Sequence, residues 1–128
     1  MENYHSKSLT TREKVIIILG MVYIAMEDDN DIDMEEGFAI EFNAGLLQIT
    51  MNEYQNKLKT IQVPDDQLLF RELRNLSYDN KKFVVRAFHS VANTSPQTAI
   101  KKITLMCNML IEDIGIKMHE IEAILSEQ

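Results

Sequence analysis

The chain has one cysteine, two prolines, four glycines and no tryptophan among its 128 residues. At average usage a chain of this length would carry roughly nine glycines and six prolines. So few turn-formers argue against many short strands and favour long helices. A single cysteine, Cys107, excludes an internal disulfide and is compatible with a reducing compartment. Long hydrophobic runs are missing too. The most apolar stretch, Val15 to Met26, covers 12 residues, short of the ~18–20 that a membrane span needs. Met1 to Arg12 is polar and lacks the apolar core of a signal peptide. A cytoplasmic protein without a membrane span is expected. Clustered basic residues are also lacking. Lys57 and Lys59, Arg71 and Arg74, Lys81 and Lys82, and Lys101 and Lys102 come in pairs that read as solvated helix faces. Nucleic acid is therefore not an expected partner, since phosphate binding needs a concentrated basic face.

What the chain has in excess is acid, and in one place. Glu27, Asp28, Asp29, Asp31, Asp33, Glu35 and Glu36 fall within ten residues that hold no base. The net charge is −7, and the thirteen acids outside this segment match the chain's thirteen bases. Most neighbours in the cluster lie within the screening length of about 8 Å at physiological salt. Water, a helix N-terminus or a cation must offset their repulsion.

Helical periodicity and capping signals account for nearly all of the chain, which reads as residues 1–9 of flexible N-terminus and one domain over 10–128. Thr10 and Glu13 have capping-box spacing, so a first helix starts there and runs through Val15 to Met26. Its β-branched residues would also suit a strand, but length and cap favour a helix buried on nearly every face. Asp33 and Glu36 repeat the spacing and predict a second helix from Met34 to about Ile49. Its inner stripe would be Phe38, Phe42, Leu46 and Ile49, widened by Ile40 and Leu47, with Glu41 and Asn43 in water. Thr50 and Glu53 open a third helix, with Met51, Tyr54, Leu58 and Ile61 on one side, that Val63-Pro64 breaks. Asp65 or Asp66 caps a fourth, and Ser77 a fifth with Phe83, Val84, Ala87, Phe88 and Val91 inward. Ser95-Pro96 starts a sixth, whose stripe is Ile100, Ile103, Cys107, Leu110 and Ile114 and whose end is Gly115. A seventh runs from about Met118 to Ser126. The expected fold is an all-α, single-domain bundle of about seven helices.

Asp29, Asp31 and Asp33 alternate as carboxylates do in calcium loops. An EF-hand needs glycine at its sixth position and a bidentate glutamate at its twelfth. Counted from Asp29 these are Met34 and Ile40, and counted from Glu27 they are Ile32 and Phe38. Neither frame fits.

Asp29-Asn30-x-Ile32-Asp33-x-x-Glu36, between two helices, resembles the first acidic motif of the TerB-like tellurite-resistance family, roughly Ala-Asp-Gly-x-Ile-Asp-x-x-Glu. Asn30 stands where glycine is usual, and asparagine tolerates the left-handed backbone. Asp28 replaces a small residue. Asp113-Ile114-Gly115-Ile116 followed by Met118 to Leu125 is similar to the family's closing corner and last helix. The resemblance implies two pseudo-repeated helical halves, each giving an acidic loop, with paired loops that bind a divalent cation, calcium or magnesium. Its ligands here would be Asp29, Asp31, Asp33 and Glu36. The second loop would fall at Val91 to Gln97, which has no carboxylate; Asn93 and backbone carbonyls would be its neutral donors. Helix capping and solvation account for the same acids without a ligand, because carboxylates at a helix N-terminus gain about 0.3–1 kcal/mol each.

His5, His89 and His119 have no spacing that suits zinc, and Cys107 reads as core. Glu112 and Asp113 sit at the unfavourable end of a helix dipole, where a link to Lys117 or Arg86 is expected. No phosphate loop, nucleophile elbow or His-Glu-x-x-His motif occurs. An enzyme would need a polar pocket with perturbed groups, and two other readings stand beside it. One is a non-enzymatic TerB-like domain with an acidic cation site, working in stress response or protein interaction. The other is a protein-interaction adaptor whose acidic loop is free of metal and meets a basic partner.

Overall fold

In a computed structural model of the chain, residues 9–26, 32–61, 65–94 and 98–127 are described. Seven α-helices follow one another over these residues: α1 (Thr11–Ala25), α2 (Met34–Leu46), α3 (Met51–Leu58), α4 (Asp66–Arg74), α5 (Tyr78–Ala92), α6 (Ala99–Asn108) and α7 (Met118–Ser126). No strand occurs among the described residues. The expected flexible N-terminus lies outside them except for Leu9, which is buried in the core. None of these helices is long and apolar enough to cross a membrane.

Local chemistry sets the helix starts. Thr10 Oγ1 accepts from Glu13 N at 3.1 Å while Glu13 Oε1 accepts from Thr10 N at 2.8 Å. Thr50 and Glu53 repeat that reciprocal pair. The backbone hydrogen bond that Glu53 accepts from Thr50 is the main cause holding its carboxyl below the usual range. Asp65 Oδ1 accepts from Leu68 N, and Ser77 Oγ from Asn80 N. Each bond satisfies a backbone donor that the first helical turn leaves unpaired. The Ser95-Pro96 start signal lies outside the described residues.

The helix ends are less regular than periodicity implies. α2 stops before Ile49 because Gln48 adopts a positive φ of 61° and Ile49 N turns back to Ala44 O at 3.1 Å. α3 stops short of Ile61, where Thr60 Oγ1 donates to Lys57 O. α6 runs on through a π-helical turn, Met109–Ile114, to Gly115 at φ 87°. That left-handed position is the one glycine takes without strain. Ile116 N donates to Leu110 O at 2.8 Å to close the corner. Arg74 Nε reaches the Asp113 carbonyl at 2.8 Å, tying α4 to this turn. Arg86, one of the two bases expected to meet Glu112 or Asp113, pairs with Glu127 at 3.3 Å.

α1 is the central element and packs against α2, α3, α4, α5 and α6. Val15, Ile16, Ile17 and Ile18 are consecutive and all buried, as a helix surrounded by others requires. α5 lies alongside it, with Phe83, Val84, Ala87, Phe88 and Val91 buried as periodicity predicts. Tyr54 of α3 is also in the core, and burial pushes its phenol above the ordinary value of 10.0. The folded chain thus favours the neutral phenol. That contribution is complete below the unfolded pKa and is lost as pH rises through the raised folded one. Tyr54→Phe should therefore lose less stability than the wild type above about pH 10, read as the urea midpoint at successive alkaline pH values. Equal losses in the two proteins would refute this.

Candidate functional site

The first turn of α2 is the only part of the predicted acidic site that is described; Asp29 and Asp31 lie outside the described residues. Asp33 and Glu36 form the expected capping box. Glu36 N donates to Asp33 Oδ1 at 2.8 Å and Asp33 N donates to Glu36 Oε1 at 3.1 Å. Asp33 is exposed. Glu36, one turn further on, is only 2% exposed.

A carboxylate so deeply buried needs a compensating charge. It comes from Lys102 on the first turns of α6, 66 residues away, whose Nζ forms a buried ion pair with Glu36 Oε2. Lys102 is 3% exposed, and its Nζ also donates to the carbonyl of Ala25 at 3.3 Å. The ammonium thus sits where the C-terminal pole of α1 meets the N-terminal turn of α2. The first pole favours a cation and the second a carboxylate. α1 has no basic residue of its own in its last turn. Lys102 therefore clamps together the two ends of the acidic interhelical segment. Its expected place on a solvated face is corrected: its sequence neighbour Lys101 is exposed, and Lys102 is not.

The ion pair also sets how α2 and α6 are rotated. Residues two apart on a helix point about 200° apart, so an inward Glu36 turns Phe38 outward. The buried face of α2 is Glu36, Ile40, Asn43, Ala44 and Leu47. Phe38 and Phe42, expected inside, are 65% and 63% exposed, and Met34 is 74% exposed. Asn43, expected in water, is buried and donates through Nδ2 to Ala39 O at 2.8 Å and to Ser90 Oγ on α5 at 3.4 Å. The same rule acts on α6, where inward Lys102 leaves Ile100 exposed rather than in the stripe.

A divalent cation of the calcium or magnesium kind takes six or more oxygens, several of them charged. Both oxygens of Glu36 are engaged, and an ammonium occupies the position from which a cation would draw on them. Asp33 Oδ1 is committed to the cap, and Asn93 is exposed at the end of α5. The described residues do not fit a divalent-cation site. Among them no three histidines, cysteines, aspartates or glutamates come together as a metal site would require.

Two other features stand out among the described residues. A shallow recess of about 170 Å³ is lined by Glu13, Ile16, Glu72, Asn75 and Leu76. Its carboxylates are already engaged, Glu13 in the α1 cap and Glu72 with Arg12 at 2.6 Å. Cys107 is half-buried, and burial pushes its thiol up, away from the thiolate that a nucleophile needs. Signals for Asp33 and Glu36 were present in the capping spacing. Nothing local marks Lys102, whose role depends on a contact between distant helices. The chain matches no family model, no curated protein and no solved structure.

Proposed function

We propose that this chain is a non-enzymatic, TerB-like helical interaction module in which a lysine does the work of the divalent cation. The buried pair of Glu36 and Lys102 carries this reading. In the family pattern a metal would join the acidic loop to the opposite helical half. Here the ammonium of Lys102 makes that connection from α6, and it holds the Ala25 carbonyl as well. The absence of carboxylates from Val91 to Gln97 agrees with it, since a loop relieved of metal binding needs none. The exposed acids of α2, Glu35 and Glu41, are left to act on a partner through charge complementarity.

Thermal melting with calcium or magnesium tests the substitution of lysine for metal. A ligand that binds only the folded chain raises the melting temperature with the logarithm of its excess over Kd. The wild type should melt at the same temperature in chelator and in millimolar calcium or magnesium. A rise that grows with the logarithm of either cation concentration would overturn the reading.

A further inference from the structure

The outward face of α2 is apolar without being covered. Met34, Phe38 and Phe42 follow at intervals of four residues and are each more than three-fifths exposed. This is the spacing of a continuous stripe on one helix face. Gly45 extends the line, and a methyl group added there would meet nothing within 4 Å. Scattered exposed apolar residues are ordinary, but two phenylalanines and a methionine in register are an anchor-type surface.

The charge beside the stripe selects its occupant. Glu35 and Glu41 flank it and are exposed, and α2 contains no lysine or arginine. In sequence, the chain's whole excess of negative charge falls at the start of this helix and just before it. We infer that the Met34–Phe38–Phe42 face docks a cationic amphipathic helix of a partner protein, its apolar side on the two phenylalanines and its lysines or arginines against Glu35 and Glu41. Helix recognition of this kind uses anchors at i, i+3, i+4 and i+7. A second copy of the chain would bring a like-charged face to the same stripe, and an anionic lipid surface would be repelled by it.

The inference rests on the interaction-module reading above, and its test is separate from the calcium test. The probe is a labelled synthetic helix of about 18 residues with leucines at i, i+3, i+4 and i+7 and lysine flanks; its anisotropy is followed against the full chain. Binding should weaken with added salt and should vanish for the same peptide with glutamate flanks. Phe38→Ser/Phe42→Ser should weaken it more than tenfold, and so should Glu35→Lys/Glu41→Lys, with melting temperatures close to wild type because all four side chains are exposed. No binding of the lysine peptide, or equal binding of both peptides, would overturn the inference. So would unchanged affinity in the Phe38→Ser/Phe42→Ser variant, binding to phosphatidylglycerol vesicles in place of the peptide, or a dimer that this variant abolishes. A calcium-dependent melting shift alongside intact peptide binding would remove the lysine-for-metal reading and leave this surface standing.

Discussion

Lys102→Met is expected to lower the unfolding free energy by about 3–5 kcal/mol, the usual consequence of leaving a buried charge without its partner. For a chain of this size that corresponds to a fall in melting temperature on the order of 10–20 °C. The substitution keeps most of the side-chain volume, so packing loss contributes little. What remains is the Glu36 carboxylate, 2% exposed and with one oxygen no longer compensated. The Ala25 carbonyl loses a donor at the same time. Glu36→Leu/Lys102→Met should restore most of the loss, or exceed the wild type by roughly 1–4 kcal/mol, since apolar replacement of a buried ion pair removes two desolvation penalties. Urea unfolding of the two single variants and the double variant measures the coupling. A single-variant loss below about 1 kcal/mol, typical of an exposed pair, would show that the ammonium is not buried against Glu36.

The pair also explains which parts of the structure could be read from the sequence. Helix starts were legible because a cap is a conversation between residues three apart. Thr10 with Glu13, Asp33 with Glu36, Thr50 with Glu53, and the Asp65 and Ser77 caps all appear where their spacing places them. The turn at Gly115 was legible for a similar reason, as a glycine that ends an apolar periodicity. The rotation of α2 was not. Met34, Phe38 and Phe42 make as regular a stripe as Ile40, Ala44 and Leu47, and hydrophobic pattern cannot choose between them. The choice is made by Glu36, whose partner is on another helix. The same pattern places Ile100 inward, yet Ile100 is 83% exposed, because Lys102 two residues later claims the interior. Half of the candidate site was therefore visible as local capping, and the half that neutralises it depends on the tertiary fold.

The second large effect concerns the contact between α1 and α5. Phe88 is fully buried, and its ring lies where the side chain of residue 20 would be. A Cβ built on Gly20 would come within 2.5 Å of Phe88 Cζ and 3.0 Å of Phe88 Cε1. Glycine normally weakens a helix interior by about 1 kcal/mol relative to alanine. At this position the close approach of the ring outweighs that preference, because overpacking a filled core costs roughly 1–3 kcal/mol. Gly20→Ala is expected to destabilise despite alanine's better helix propensity. Phe88→Ala should be worse, at about 3–5 kcal/mol, through lost burial and the cavity left behind. The two effects are coupled by contact and will not add. Alanine at position 20 enters space that the missing ring vacates, so Gly20→Ala/Phe88→Ala should be more stable than Phe88→Ala alone. Denaturant midpoints of the three variants decide it. A double variant that loses the full sum of the two single effects would mean that Gly20 and Phe88 do not meet, and that α1 and α5 pack in another register.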